Sequence, residues 1–429
     1  MSNQSTKSDD MNDDGMLNAE TQRKLPQGKI LQPKLRFKGF ADPWQQRKLG
    51  ELAEFSKGAG FSKSDLCEHG RGIILYGQMY TNYQLVIDCI STHVPMNSHG
   101  VESRRNDIIV PASGETPEDI ATASVVKLDG VLLGGDINVV RLHGNQTDAT
   151  FIALLLSHGS LHKTLASRAQ GKSIVHLHIS DIANLHVLKP GITEQSRIAE
   201  FFRVLDDLIA AAKKKADLLK LKKRYYLQAI FSQHLRFKGF TKPWQQRKLG
   251  DVCKVSKNIN KTQYSQSDVL SVSRDAGVVN QVQYQGRSFA SNDLSRYRIV
   301  TPQSLIYTKS PLKVAPYGIM ISSHVHGIVS PLYAVYQCPN NYNHFLSYFF
   351  SSSATLNNYL KPLVAKGAKN TINVSDCDAA NGMVPYVNAE EVDAIVFIFQ
   401  ILDALIEEVK DKHDLICRKK AFFLQKMFV

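Results

Sequence analysis

A few short stretches of the chain contain residue types that carry out chemistry in other proteins. Glu408-Val409-Lys410 combines the carboxylate and lysine that nucleases use, but residues two apart on a helix point in different directions. Gly171-Lys172-Ser173 resembles the end of a phosphate-binding loop. Such a loop needs a glycine five positions before its Gly-Lys pair, where this chain has Ala166. We therefore predict no catalytic residue.

Two histidine pairs have a spacing that could bind a metal ion. His176 and His178 alternate, as do His324 and His326, and alternate residues of a strand face the same side. No cysteine or carboxylate stands at the spacing of a metal site, so we predict polar contacts and no metal.

The six cysteines stand singly, at positions 67, 89, 253, 338, 377 and 417, without a Cys-x-x-Cys pair. This usage is typical of a reducing compartment and predicts a cytoplasmic protein without disulfide or zinc cross-links. The chain has no apolar run near the roughly 20 residues of a membrane span. Its start has no apolar segment of the signal-peptide type, so we predict neither a signal peptide nor a membrane partner.

The charge distribution indicates a polyanionic partner. The 429-residue chain has a formal net charge of +13, and the excess is concentrated in residues 234–388, with 17 Lys and Arg against 6 Asp and Glu. Residues 35–190 are balanced, at 15 against 15. Such a concentrated excess favours nucleic acid as the partner; the alternative is a basic but merely solvated surface.

The chain repeats itself. LRFKGFADPWQQRKLG at 35–50 returns as LRFKGFTKPWQQRKLG at 235–250, with 14 of 16 positions identical. Residues 202–231 and 399–428 share 14 of 30 positions. The sequence therefore predicts a leader followed by two tandem repeats of about 200 residues each.

Each unit is predicted to contain a mixed domain followed by a long helix. Short apolar runs between Gly, Pro and Asn predict strands at 73–76, 107–113, 124–128, 131–142, 269–273, 298–309, 318–323 and 327–338. Helical patterns occur near 148–169 and 343–361. The fold class is α+β, and the predicted parts are a disordered leader at 1–34, mixed domains at 35–190 and 234–388, and spacer helices at 191–233 and 389–429.

Both long helices carry apolar residues at alternating steps of four and three, which is a coiled-coil seam. The seam residues are Ile198, Phe202, Leu205, Ile209, Leu219, Tyr226, Ile230, Ile395, Phe399, Leu402, Ile406, Ile416, Phe423 and Met427. Each helix is roughly 49 Å long. An antiparallel pair with one mixed domain at each end would relate the halves by a pseudo-two-fold axis, as in dimeric DNA readers; the alternative partner for such a stripe is the core of an isolated domain.

The two copies of the repeated stretch are called here the joint segments, Leu35–Gly50 and Leu235–Gly250. Their tryptophans, Trp44 and Trp244, are predicted to pin the first strand of each domain to a helix end, together with the neighbouring Phe and Leu residues. The alternative is that the Arg-Lys pairs at 47–48 and 247–248 touch phosphate.

Several stretches resemble the specificity subunit of type I restriction-modification systems. They are LRFKGF…PWQQRKLGEL, ILYGQMYTNY, IIVPASGET, LGGDINVVRL and EQSRIAEFFRVLDDLI. Residues 391–399, EVDAIVFIF, depart from the family's usual helix start, which puts the docking surface there in question.

This resemblance implies that each mixed domain is a target-recognition domain that reads one half of a bipartite, asymmetric site in double-stranded DNA. The helices would act as a ruler that sets the unread spacer. Two modification subunits carrying S-adenosylmethionine would methylate adenine, and restriction subunits would add translocation and cleavage that depend on ATP and Mg²⁺. None of these cofactors would bind this chain directly. A stand-alone transcriptional regulator with two reading domains is the alternative.

Candidate DNA-contacting residues are polar, basic or flexible positions in predicted loops. In the first domain they are Tyr76, Gln78, Tyr80, Thr81, Ser113, Gly114, Glu115, Thr116, Arg168, Gly171 and Lys172. In the second they are Arg274, Lys309, Ser310, Lys313, His324, Lys366, Gly367, Lys369 and Asn370.

Overall fold

The computed structural model describes residues 32–311, 315–366 and 372–428. They divide into two compact units. The first unit contains the described residues up to Asp207 and those from Ile416 onward; the second contains those from Leu208 to Leu415. Both long helices therefore contribute one part to each unit.

The elements of the first unit follow the predicted order of strands and then helices. Its strands are β1 Gln45–Lys48, β2 Ala53–Lys57, β3 Arg71–Ile74, β4 Val86–Ile87, β5 His93–Val94, β6 Asp107–Pro111, β7 Ser113–Gly114, β8 Ser124–Val126, β9 Leu132–Leu133, β10 Ile137–Leu142, β11 Val175–His176 and β12 His186–Lys189. Its helices are α1 Leu49–Leu52, α2 Gln78–Thr81, α3 Pro117–Ile120, α4 Ala149–Ser157, α5 Gly159–Ala166, α6 Ile179–Ala183 and the start of α7 Ile192–Phe231.

The second unit repeats this order. Its strands are β13 Gln245–Lys248, β14 Lys254–Val255, β15 Leu270–Ser273, β16 Gly277–Asn280, β17 Arg298–Val300, β18 Ser304–Tyr307, β19 Met320–Ser322, β20 Gly327–Val329, β21 Ala334–Gln337, β22 Ala365–Lys366, β23 Ile372–Asn373 and β24 Met383–Tyr386. Its helices are α8 Leu249–Val252, α9 Gln281–Gln285, α10 Tyr342–Phe349, α11 Ser353–Leu360, α12 Asp376–Ala379 and most of α13 Ala389–Met427.

Some runs predicted as single strands are two strands in the structure. Residues 131–142 form β9 and β10, which belong to different sheets, because the chain turns at Gly134-Gly135-Asp136. Residues 298–309 and 327–338 divide in the same way. The predicted helix near 148–169 is likewise α4 and α5, broken where Gly159 adopts a φ of 73°. Glycine tolerates that left-handed conformation without steric cost.

The core of the first unit lies between the sheet β2-β10-β6-β8-β4 and the wholly buried helix α4. Ile198 and Phe202 of α7 and Met427 of α13 belong to the same cluster of buried side chains. In the second unit the sheet β14-β21-β18-β19 packs in the same manner, and Ile395 and Phe399 of α13 join its core. Each mixed domain therefore shares one hydrophobic core with the helix segments beside it.

The prediction that the chain has no disulfide is wrong. Cys253 and Cys338 are bonded although 85 residues separate them. The pairing of Lys254 with Gln337 in β14 and β21 places the two cysteines opposite each other, one position beyond the ladder. Opposed residues of antiparallel strands bring their Cβ atoms within bonding reach, and isolated sequence positions do not reveal such a register.

Within each unit the two helix segments run antiparallel. In the first unit, Phe201 packs on Phe423 and Asp206 pairs with Lys420. In the second, Lys223 pairs with Asp403, and Phe231 stacks on Phe399. The predicted seam residues are all buried or half-buried.

The two aspartate–lysine pairs occupy equivalent sequence positions, and each lies near a side chain of the mixed domain in its unit. Tyr348 of the second domain donates its hydroxyl proton to Asp403, at 2.9 Å, and Lys223 lies over the Tyr348 ring. In the first unit His158 lies near Lys420, and burial, with smaller contributions from Lys420 and His162, lowers the pKa of His158 to about 4. His158 is therefore neutral at physiological pH.

The joint segments attach each domain to the start of a long helix. The Arg36 guanidinium binds both carboxylate oxygens of Glu194, at 2.9 and 2.6 Å. Arg236 binds Glu391 in the same way, at 2.9 and 2.7 Å. Both glutamates lie in the first turn of their helix, where the helix dipole favours an anion, and each glutamate side chain is only 3% exposed.

The aromatic residues of the joint segments pack against other aromatic rings of their own unit. Trp44 contacts Phe151, and Phe37 contacts Phe201 of α7, both edge-to-face. Trp244 packs on Phe231 and donates its indole N–H to Glu391 at 3.2 Å. Trp244 therefore joins its domain to the ends of two long helices, as predicted. Trp44 instead contacts α4 within its own domain, and Phe37 makes the contact with α7.

Backbone hydrogen bonds complete each joint. The Leu35 N–H donates to the carbonyl of Lys426, near the end of α13. The Leu235 N–H donates to Ala229, the equivalent position of α7. In the first unit, the end of α13 therefore occupies the place that the end of α7 occupies in the second.

No helix in the described part of the chain is both long enough and apolar enough to cross a membrane.

Arg36→Ala should destabilise the first unit by about 3–5 kcal/mol, because it leaves the buried Glu194 carboxylate without a counter-charge. Urea unfolding compared with Lys38→Ala, which removes an exposed cation from the same segment, measures the effect. Equal unfolding midpoints for the two variants would show that the pair does not hold the joint.

Candidate nucleic-acid interface

In the first unit, two of the predicted loops form one surface. Strand β7 pairs with β11, so that Ser113 lies opposite His176 and Gly114 opposite Val175. The Ser113 hydroxyl is 2.9 Å from Nδ1 of His176. The stretch at 113–116 is thereby placed beside the loop that contains Gly171 and Lys172. His176, which the sequence suggested only as one of a histidine pair, is the side chain that connects them.

The Gly171 loop is the tip of a hairpin. Gln170 and His176 exchange both backbone hydrogen bonds, at 3.0 and 2.8 Å, and Lys172 and Ile174 at the tip are exposed. Gly171 has a φ of 135°, and a Cβ at this position would lie 2.0 Å from the Ile174 carbonyl oxygen. Only glycine fits this turn. Gly171 is therefore required by the backbone geometry that exposes Lys172 at the tip.

Two tyrosines border the same surface. The rings of Tyr76 and Tyr80 are 6.5 Å apart, and a Cβ on Gly114 would lie 3.8 Å from the Tyr80 ring. Burial, and then the neighbouring Tyr76 and Glu115, raise the pKa of Tyr80, so its hydroxyl remains a neutral donor. The structure therefore brings together seven of the predicted residues: Tyr76, Tyr80, Ser113, Gly114, Glu115, Gly171 and Lys172.

Other candidates of the first domain hold the loops in place. The Gln78 side chain accepts from the Leu75 N–H, Thr81 donates to the Gly77 carbonyl, and Thr116 caps α3. Arg168 donates to the Asp181 carbonyl at 2.5 Å, at the start of α6. These four residues support the surface through contacts within the domain.

In the second domain, Lys309 lies in an ion pair. Its ammonium binds Asp376 at 2.5 Å and the Val374 carbonyl at 3.0 Å, and Arg298 binds the same carboxylate at 2.7 Å. Ser310 donates to the Thr308 carbonyl at 3.2 Å. Asp376 thus balances part of the positive charge that the sequence places in this loop.

Arg274 and His324 border one cavity of about 450 Å³. Arg274 donates to the Ser353 hydroxyl at 2.8 Å, a neutral partner. His324 stacks on His344 with ring centroids 4.4 Å apart. Burial lowers the pKa of His324, and burial followed by His324 lowers the pKa of His344 to about 4. The histidine pair is therefore neutral at pH 7 and can offer hydrogen bonds but no charge.

Four predicted residues, Lys313, Gly367, Lys369 and Asn370, lie outside the described residues. Lys366 belongs to β22, where its backbone pairs with Ile372. Among residues 32–311, 315–366 and 372–428, no three His, Cys, Asp or Glu side chains form a group that could hold a metal ion.

Comparison with known proteins shows what this architecture resembles. Residues 41–221 match the family model of the type I restriction modification DNA specificity domain. The chain is similar over 93% of its length to 99% of the crystal structure of a type I restriction-modification S subunit from M. genitalium, with a TM-score of 0.61 and 14% identity. No curated protein sequence matches the chain.

Two further solved structures are similar. One is described as showing complex assembly and conformational transition of the type I R-M system. The match includes 89% of this chain and 96% of that chain, with 16% identity and a TM-score of 0.48. The other is the HsdS subunit from Thermoanaerobacter tengcongensis. That match includes 90% of this chain and 96% of that chain, with 15% identity and a TM-score of 0.44.

The family-model match at residues 41–221 confirms the resemblance found in the sequence. The likeness to the S subunit from M. genitalium confirms the fold class for the chain. The family-model match supports a role in DNA sequence specificity and does not favour a stand-alone regulator.

Gly171→Ala should open the hairpin at its tip, because alanine cannot adopt the turn without displacing Ile174. Backbone strain of this kind costs about 1–3 kcal/mol, so amide exchange at His176 should speed up by roughly ten-fold or more. Gly191→Ala, which has open space around it, is the control. Unchanged exchange in Gly171→Ala would contradict the described turn.

Proposed function

We propose that this chain is the DNA-recognition subunit of a type I restriction-modification complex. Each recognition domain reads one half of a bipartite, asymmetric site in double-stranded DNA, and partner subunits methylate adenine and restrict unmodified DNA. The observation that carries the proposal is the DNA specificity domain at 41–221, followed by a second domain with the same joint segment, identical at 14 of 16 positions.

The difference between the two reading surfaces supports an asymmetric site. The joint segments and helix ends are nearly the same in both halves, whereas the loops they hold differ. The first domain presents Tyr76, Tyr80 and the Gly171 loop; the second presents Arg274 and the stacked His324. Two reading surfaces of different chemistry on equivalent scaffolds read different half-sites.

Electrostatics supports unequal roles for the domains. Residues 234–388 have 17 basic and 6 acidic side chains, against 15 and 15 for residues 35–190. Phosphate contacts provide the salt-sensitive and sequence-independent share of DNA affinity. The second domain therefore contributes more of that affinity in this proposal.

Exposed apolar residues on the long helices support two copies of a protein partner. Val204, Leu208, Leu218 and Tyr225 of α7 are exposed, and so are their sequence equivalents Ile401, Leu405, Leu415 and Phe422 of α13. Large exposed apolar residues that recur in register indicate a docking surface present twice. Two modification subunits fit this pattern, and restriction subunits join them.

In this proposal the cofactors belong to the partners. S-adenosylmethionine is bound by the modification subunits, and ATP and Mg²⁺ by the restriction subunits. This chain contributes recognition and positioning without catalysis, and it works in the cytoplasm, where the DNA is.

Co-expression of the chain with a candidate adenine-methylating subunit, followed by mapping of methylated adenines in the host DNA, tests the proposal. The expected result is one bipartite motif that disappears when this chain is omitted. A methylation pattern that is the same with and without the chain would contradict it.

A further inference from the structure

Two large aromatic side chains of the second domain point into solvent. Tyr284 of α9 is 54% exposed and Phe289, just after it, is 59% exposed. Aromatic side chains bury large apolar areas when they pack, so solvent exposure of two neighbours in one short segment indicates an absent partner. The segment Gln281–Phe289 is called here the aromatic segment.

The aromatic segment is held firmly in its exposed position. Asn280 caps α9 by accepting from the Gln283 N–H, and its own amide donates to the Ser267 carbonyl at 2.6 Å. The Gln281 side chain accepts from the Phe289 N–H at 2.7 Å and donates to Ser271 at 3.2 Å. A rigid loop that presents aromatic residues loses little conformational entropy when it binds.

Basic and amide side chains accompany the aromatic rings. The Arg287 guanidinium lies 4.6 Å from the centre of the Phe289 ring. An open groove of about 1020 Å³ is lined by Tyr284, Phe289, Gln285 and Arg274, with serine hydroxyls and one carboxylate, that of Asp275, between them. Arg and Gln are the side chains that hydrogen-bond guanine and adenine edges in the major groove, and Phe contacts the thymine methyl group.

The first domain has aromatic and amide residues at the equivalent place. A 3₁₀ turn with a Ser62–Asp65 capping box precedes β3, and one with a Ser265–Asp268 box precedes β15. After β3 comes α2, with Tyr80 beside it in the candidate interface. After β15 come β16 and α9, with Tyr284. In both domains a short helix that contains a tyrosine thus follows the turn and its strand, and in the second domain the additional strand β16 lies between them.

We infer that the aromatic segment is a sequence-reading element of the second recognition domain. Tyr284 and Phe289 make apolar contacts with bases of its half-site, Gln285 reads a base edge, and Arg274 and Arg287 bind guanine or phosphate. This inference rests on the proposed function and names residues that carry its specificity. The mixture of cations, amides and hydroxyls around the rings favours DNA over a protein partner.

The test uses the full chain in complex with its modification subunits and a library of random duplexes. The double variant Tyr284→Ala/Phe289→Ala and the single variant Gln285→Ala are compared with Met383→Ala. Met383 is 52% exposed in β24, the strand that pairs with β13 of the joint segment in the same domain. Its replacement therefore removes exposed apolar area at a site outside the aromatic segment. Thermal unfolding of each variant verifies that the domain is folded.

The unaltered complex is measured first and should select a motif with two halves; selection of no motif would overturn the proposed function itself. With that motif in hand, the double variant and Gln285→Ala should each weaken sequence preference in one half only. The double variant should lose about ten-fold or more in affinity for the selected site, and Met383→Ala should behave like the unaltered chain.

Two results would overturn the inference while leaving the proposed function intact. One is an unchanged motif and affinity in the folded double variant. The other is loss of assembly with the modification subunits while the motif is unchanged, which would identify the aromatic segment as a protein-docking surface.

Discussion

A buried ion pair between an arginine of each joint segment and a glutamate of each long helix determines how the rest of the structure is arranged. Arg36 with Glu194, and Arg236 with Glu391, connect the start of a domain to the first turn of the helix that follows it. A carboxylate that is 3% exposed is stable only with its counter-charge. The pair is bidentate, so it sets orientation as well as distance.

The two units share this ion pair, the joint segment and the paired helix segments, and they differ in the loops of their mixed domains. The aspartate–lysine pairs between the helix segments, Asp206 with Lys420 and Asp403 with Lys223, set the antiparallel register. Because each domain shares a hydrophobic core with those segments, its orientation follows from the helices. Loops outside the core can then change with little cost to stability, which is what the proposed role in sequence specificity requires.

The features that could be predicted from the sequence were those that depend on residues close together in the chain or on direct repetition. The repeat, the two long helices and their seam follow from identity and from a period of three and four residues. The division of residues 131–142 at Gly134 and the Cys253–Cys338 bond both depend on how strands pair in the sheets. A short apolar run in the sequence does not specify that register. The roles of Lys309 and Arg168 were missed because their partners lie 67 and 13 residues away. Tyr284 and Phe289 carried no motif and were found only through their exposure.

The most direct test of the account is to replace residues 51–185 of the first domain with residues 251–382 of the second, keeping both joint segments and both helices. Leu49 and Leu249 donate to the equivalent carbonyls of Leu185 and Gly382, so the exchange joins matching positions. Mapping of methylated adenines in cells that also contain the modification subunits gives the readout. The account predicts two inverted copies of the second half-site with an unaltered spacer. A motif that retains the first half-site, or a changed spacer, would contradict it.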